Sequence, residues 1–249
     1  MTLSDSQLDR YARHLVLHEI GGPGQQRLLS ARVLVVGAGG LGAPVLTYLA
    51  AAGVGHIDLV DDDRVSLSNL QRQVLFGGDD LGRPKVDAAI ERLAALNPDA
   101  TVTGHQCRLT ADNAAGLMAP VDLVIDGTDT FSARLTVSDA CVAARKPLVS
   151  AAIARFEGQL AVFAPHLSGP CYRCFVPQAP EGDRDHCAEV GVLGALAGVL
   201  GAWAALEAIK WIAGAGDPLT GRLMMIEALT NRTRTIDVPK DPDCPACSG

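Results

Sequence analysis

Arg72, Lys85 and Asp129 are placed where charge chemistry on phosphate groups could occur. Arg72 belongs to DDRVSLSNLQRQVLF, in which Asp63, Asn69, Gln71, Arg72 and Gln73 fall within eleven residues. A guanidinium there could hold phosphate oxygens through two parallel bonds and Asn69 could add an amide, while solvation of a surface loop explains the same residues. Lys85 falls in the first turn of a helix expected from about Arg83 to Leu96, opened by Pro84 and ended near Asn97 and Pro98. A cation in that position opposes the helix dipole and has no local reason to be present; an external anion would supply one. Asp126, Thr128 and Asp129 lie in DLVIDGTDTFSAR, at the end of a strand expected over Val121–Asp126. Acids there could hold a magnesium ion that bridges phosphates. The competing role for Asp129 or Thr130 is to cap the helix Phe131–Ala144.

Cysteine supplies a second chemistry. Of seven cysteines, four form the pairs Cys171-x-x-Cys174 and Cys244-x-x-Cys247, with 69 residues between the pairs. Two such knuckles have the spacing of a tetrahedral four-thiolate zinc site, here one that would clip the C-terminal tail to a distal loop. Disulfides compete with this reading but disagree with a cytosolic chain. Cys107 and Cys141 read as small buried hydrophobes. Cys187, beside Arg184, Asp185 and His186 in a polar loop, is either a covalent thiol activated by neighbouring cations or an incidental loop cysteine.

The element that must position the charged groups is Arg32–Asp61. An apolar run, Val33–Val36, is followed by GAGGLG at Gly37–Gly42, a helical segment to about Ala52, and a second apolar run, His56–Val60, ending on Asp61. Strand, glycine turn, helix and strand, with an acid 24 residues after the first glycine, is the nucleotide-binding βαβ order. Gly37 permits the sharp turn, Gly39 and Gly40 leave the backbone open to phosphate, and Gly42 allows the helix to pack closely. Asp61 is placed to accept from ribose hydroxyls, and the segment carrying Asp63, Asn69 and Arg72 leaves the same strand end. NAD, FAD and ATP could all use such a crevice.

The 249 residues suit one large α/β domain. We divide it into an N-terminal helical arm (1–30), a nucleotide-binding core (31–164), a crossover region with the first cysteine pair (165–190) and a C-terminal part (191–249). Within the arm, helix is expected over Asp5–Leu17 and again around Gln25–Leu29, with a break at Gly21–Gly24; Arg13 reads locally as part of a solvated face. Strands are expected at Thr101–Gln106, Pro147–Ala152 and Gly158–Phe163, an irregular stretch at Pro165–Glu189, and a hairpin of Leu223–Ala228 and Thr233–Val238 around Thr230 and Asn231. A net charge of −7 argues against nucleic acid or an anionic membrane as partner. The N-terminus has no secretory signal pattern, and Val190–Leu206, though apolar, continues into Glu207 and Lys210 and reads as a core or interface helix. The expected setting is cytoplasmic.

Taken together, GAGGLG at Gly37–Gly42, VSLSNLQRQ at Val65–Gln73, GRPK at Gly82–Lys85, DGTD at Asp126–Asp129, CYRC at Cys171–Cys174 and CPAC at Cys244–Cys247 resemble the MoeB/ThiF family of sulfur-carrier adenylyltransferases, relatives of the ubiquitin-activating enzymes. The resemblance covers essentially the whole chain. It implies a Rossmann-like doubly wound α/β sheet, mainly parallel with antiparallel C-terminal strands, and a Cys₄ zinc clip. It implies ATP with Mg²⁺ as nucleotide and, as substrate, the C-terminal Gly-Gly of a ubiquitin-like sulfur carrier. The carrier expected first is the small subunit of molybdopterin synthase, with the thiamine-biosynthesis carrier as the alternative.

Residue by residue, the resemblance places Gly39 and its neighbours at the phosphates, Asp61 at the ribose, Arg72 and Lys85 with Asn69 on the triphosphate, and Asp129 at Mg²⁺. Arg13, in an RYxR-like segment, would reach the ATP of a partner subunit, which implies a homodimer. The four paired cysteines would hold Zn²⁺. Two positions depart from the family pattern: Thr130 stands where Asn is usual after Asp129, and His14 where Gln is usual after Arg13. The chain ends just after the second cysteine pair, so a separate protein is expected to supply the sulfur. From another class, Gly37–Asp61 alone would permit an NAD-dependent dehydrogenase, which leaves Arg72, Lys85 and Asp129 unexplained.

Overall fold

Successive side chains along the apolar runs point to alternate faces and are buried on both, which builds two core layers on a single sheet. A computed structural model describes residues 3–181 and 191–248. Strands β1 (Arg32–Val36), β2 (His56–Val60), β3 (Thr101–His105), β4 (Leu123–Asp126), β5 (Leu148–Ala154), β6 (Glu157–Phe163), β7 (Arg222–Glu227) and β8 (Arg232–Asp237) lie in the spatial order β3-β2-β1-β4-β5-β6-β7-β8. The first five are parallel and β6, β7 and β8 are antiparallel to their neighbours. On one face, Val33 and Val35 of β1, Ile57 and Leu59 of β2 and Leu160 and Val162 of β6 are buried. On the other, Leu34, Val36, Val60, Val124 and Phe163 are. Strands buried on both faces explain the near-continuous apolar runs.

The covering helices follow the same logic. The first face takes α3 (Gly21–Ser30), α4 (Gly42–Ala51), α5 (Lys85–Leu96) and α9 (Gly194–Ala213); the second takes α6 (Ala111–Met118), α7 (Phe131–Ala144) and the short α8 (Tyr172–Phe175). Two small helices, α1 (Asp5–Arg10) and α2 (Ala12–Leu15), make the arm. Its anchor is Tyr11, 2% exposed, whose hydroxyl donates to Asp99 and accepts from Asn97. Among the described residues, α9 is the one helix long and apolar enough to cross a membrane. It packs on α3, α4, β5 and β6, the core-helix arrangement expected of the apolar run.

Several boundaries differ from expectation. Gly21–Gly24 is no break but the first turn of α3, held because Gly24 packs on Ile20 and Ala213 and Arg27 donates to the Ala213 carbonyl. Pro84 is the extended residue before α5 (φ −54°, ψ 134°), which makes Lys85 the first helical residue. Within the stretch expected to be irregular, a 3₁₀ turn (Pro165–Leu167) and α8 form, with Cys171 at the N-cap of α8 and Cys174 inside it. Helix α6 was not anticipated; its start is marked by the Asn113 side chain, which accepts from the Thr110 N–H at 2.9 Å. The β7–β8 hairpin turns on Asn231 (φ 54°), as expected.

Candidate active site

The order β2-β1-β4 reverses the direction in which strands are added, and such a switch point opens a crevice at the carboxyl ends of the strands. The crevice measures about 750 Å³, and its lining includes Gly37, Gly39, Gly40, Asp61, Asp63, Asn69, Arg72, Gln73, Lys85 and Asp129. The turn that forms its floor requires glycine at two points. Gly37 has φ +93°, and a Cβ on Gly42 would collide with the Gly37 carbonyl oxygen. Beyond it the N-terminus of α4 begins at Gly42 with no side-chain cap, a setting that favours an anion.

Asp61 is pinned at the end of β2 by two backbone donors. The Ala38 N–H reaches its Oδ2 at 2.7 Å and the Asp63 N–H its Oδ1 at 2.8 Å. Burial raises its pKa, opposed by Lys85 and the two backbone bonds. Lys85, 3% exposed, donates to Asp63 at 2.8 Å and lies 3.9 Å from Asp61. The sequence offers Lys85 no reason within its own helix, and the fold supplies one from elsewhere in the chain. Its partners come from the end of β2, not from its own helix. The ion pair is half in solvent, because the Asp63 side chain is 65% exposed, so an incoming phosphate can compete for the ammonium.

At the end of β4, Asp126 is fully buried and turns its Oδ1 to the Thr128 N–H (2.9 Å) and hydroxyl (2.7 Å). Its Oδ2 has no hydrogen-bond partner among the described residues, and burial raises its pKa. This pairing curls the loop so that Asp129 reaches the crevice, exposed. Capping of α7 falls to Thr130, whose hydroxyl accepts from the Ala133 N–H at 3.2 Å. Asp129 lines the crevice with an exposed carboxylate, the kind of oxygen donor that Mg²⁺ prefers.

Arg72 and Asn69 sit on a 3₁₀ turn, Leu67–Asn69, and the chain just after it. The Arg72 guanidinium donates to the Ser68 carbonyl at 3.0 Å, and its aliphatic stem lies beside Gly40. Among the lining residues not foreseen as part of the site are Gln73 and Arg134. Gln73 was seen only as one polar residue among several. Arg134 of α7, 6% exposed, donates twice to the Thr128 carbonyl and stacks 5.6 Å over Phe131. A buried arginine one turn into a helix gives no local signal beyond its charge.

Arg13 is not brought to this crevice. It is exposed on α2, while its neighbour His14 contacts the buried Gln25 at 2.9 Å through Nδ1. Cys187 lies outside the described residues. The four paired cysteines do converge: their sulfurs all lie within 4.8 Å of one another, with Cys171–Cys244 and Cys174–Cys247 at 3.6 Å. A tetrahedron of Zn–S bonds of about 2.3 Å has edges of about 3.8 Å, so the donor set fits zinc. All four are unbridged.

Strand order, glycine turn and the acid closing β2 define the class: a doubly wound α/β protein of the nucleotide-binding kind, with cations and acids gathered over the turn. The family is narrower. The model of the ThiF family matches residues 11–246, and the chain belongs to that family. It is 48% identical over 252 residues to the sulfur carrier protein adenylyltransferase of Thermus thermophilus, spanning 99% of this chain and 93% of the relative. It is 42% identical over 247 residues to the sulfur carrier protein ThiS adenylyltransferase of Escherichia coli, spanning 99% and 98%. Among solved structures, Escherichia coli MccB with MccA-N7isoASN aligns with a TM-score of 0.86 over 99% of this chain and 76% of that one. At 23% identity, that likeness speaks to the fold.

Proposed function

We propose that the protein is an adenylyltransferase that joins the C-terminal carboxylate of a ubiquitin-like sulfur carrier to AMP: carrier–COO⁻ plus ATP gives carrier–CO–AMP plus pyrophosphate. The observation that carries this reading is the convergence of Gly37–Gly40, Asp61, Arg72, Lys85 and Asp129 in one crevice. The names of its close relatives support the same chemistry. A dehydrogenase would leave the two cations and Asp129 without a task.

The reaction needs no protein nucleophile, because the substrate carboxylate is one. The chain must align two anions and stabilise the charge that develops on the leaving pyrophosphate. In this reading the Gly37–Gly40 turn and the start of α4 cradle the phosphates and Asp61 accepts from the ribose. Lys85 leaves Asp63 for the triphosphate, and Arg72 with Asn69 approaches it from the facing loop. Asp129 would hold Mg²⁺, which when bound neutralises phosphate charge. The cysteine cluster would hold Zn²⁺ as a structural tie. Arg13, exposed and away from its own crevice, would serve the crevice of a second copy, which makes the active form a homodimer.

The carrier in this reading is the small subunit of molybdopterin synthase, with the thiamine-biosynthesis carrier as the alternative. A separate protein supplies the sulfur, and Cys187 is kept for a later covalent step. A cytoplasmic location is part of the proposal. The test is to mix the protein with ATP and each carrier and read the intact mass. A carrier adduct of one AMP, with carrier-dependent pyrophosphate exchange, is expected. Exchange with neither carrier would overturn the reading, and their relative rates decide between them.

A further inference from the structure

One buried side chain in the crevice carries hydrogen-bonding capacity that nothing around it uses. Gln73 is 3% exposed, and its Oε1 has no partner among the described residues. Its backbone is fixed: the Gln73 N–H donates to the Asn69 carbonyl at 2.9 Å, and its own carbonyl accepts from the Phe76 N–H at 3.1 Å. The amide lies over the phosphate turn, since a Cβ built on Gly39 would come 3.9 Å from Gln73 Nε2. Ile153, from β5, lines the same crevice on the side away from Asp61 and β2.

An amide oxygen only accepts, and so do phosphate oxygens, so the triphosphate cannot satisfy Oε1. The ribose hydroxyls are donors, but their acceptor in this reading is Asp61, across the turn at the end of β2. Arg72, the adjacent donor, turns in this reading from the Ser68 carbonyl to the triphosphate. The remaining donor that the reaction brings to the turn belongs to the second substrate. The backbone N–H of its last residue sits one carbon from the carboxylate that attacks the phosphate.

We propose that Gln73 Oε1 accepts the terminal backbone N–H of the incoming polypeptide, making Gln73 a specificity-determining residue that selects a peptide carboxylate over a free carboxylic acid. This rests on the adenylation reading. The bond fixes the rotation of the terminal residue and holds the carboxylate in line with the phosphate; no proton is transferred through it. An unpaired buried acceptor in the ligand-free protein is the counterpart of that selectivity, because a substrate lacking the donor leaves it unpaired.

The experiment uses the full chain with the small subunit of molybdopterin synthase and with the thiamine carrier. Each carrier is made in two forms: native, and semisynthetic with the last amide replaced by an ester, which deletes the N–H and keeps the carboxylate. Pyrophosphate exchange is measured for the wild type and Gln73→Leu, with Gln73→Met repeating the cycle should the leucine variant not fold. The ester is expected to raise the carrier KM of the wild type by about tenfold, the size of one hydrogen bond. Gln73→Leu should do the same to the native carrier, the ester should add less than about twofold in the variant, and the KM for ATP should stay within about twofold. Equal sensitivity of wild type and variant to the ester overturns the assignment, as does a KM change confined to ATP. Absence of exchange by the wild type with either native carrier overturns the adenylation reading itself and this assignment with it, and so is distinguishable from failure of Gln73 alone.

Discussion

Asp58 and Asp126 stand on strands of the same sheet, β2 and β4, and project to the same face, opposite Leu34 and Val36 of β1. Both are almost wholly buried, at 3% and 0% exposed. Asp58 has both oxygens matched: Arg32 binds it through two nitrogens at 2.6 and 3.0 Å, and His105 Nε2 lies 3.0 Å away. Burial pushes its pKa up, but these partners outweigh burial and hold it below the usual carboxylate value. Asp126 has one oxygen served by Thr128 and the other without a hydrogen-bond partner among the described residues, and burial raises its pKa. The difference follows position along the strand. Asp58 lies within β2, where neighbouring strands supply partners; Asp126 ends β4 at the crevice, where the loop must hold Asp129. An acid completely paired braces the fold, and one left incomplete marks the end of the sheet where chemistry is placed.

The largest effect is expected at the sulfur cluster, which calibrates how a purely structural site responds. Zinc sites in small domains contribute on the order of 10 kcal/mol. Cys244→Ser should therefore lose metal and give the largest fall in melting temperature, and a variant that keeps full zinc by elemental analysis would contradict the assignment. Next, Arg72→Ala should lower pyrophosphate exchange by about 10²–10³-fold, about 3–4 kcal/mol of transition-state stabilisation, with little change in melting temperature. Full activity in that variant would remove Arg72 from the site.

The two aspartates come next. Asp58→Asn should destabilise the chain by about 2 kcal/mol, as expected for losing charge-assisted bonds, while exchange per folded molecule is retained. Chemical denaturation against pH sharpens this. The stability due to Asp58 is present above the unfolded carboxylate pKa and lost as pH falls through its lower folded value, so the variant should lose part of the acid-induced decline. Asp126→Asn should behave oppositely and least. The raised pKa means that its favourable contribution is present below the unfolded value and lost as pH rises through the folded one. The substitution should then leave stability near pH 7 within about 1 kcal/mol or raise it. A loss as large as that of Asp58→Asn would erase the distinction between the two acids.

The βαβ unit, the paired cysteines and the strands up to β8 were legible because their signals are local: apolar period, glycine spacing and C-x-x-C. The misreadings arise where distant contacts decide. Gly21–Gly24 carries every local mark of a break, yet α9 supplies the carbonyl and the surface that hold it helical. The partners of Lys85 could not be read locally, because its acids, Asp61 and Asp63, precede it by more than twenty residues and meet it only in the folded chain. Gln73 and Arg134 are polar residues whose burial no spacing rule reveals. Helix α6 spans only 8 residues, too few for periodicity to speak.

A metal bound at the cysteine cluster would also act on the unfolded chain. Cys171 and Cys244 are 73 positions apart, and α9, β7 and β8 all lie between them. A metal held by both pairs would close that span into a ring. In polymer terms, a cross-link over a loop of this length removes about 4 kcal/mol of conformational freedom from the denatured ensemble. The long apolar helix would then search for its place on the sheet as part of a tethered ring, with fewer extended conformations in which to expose its surface to other molecules.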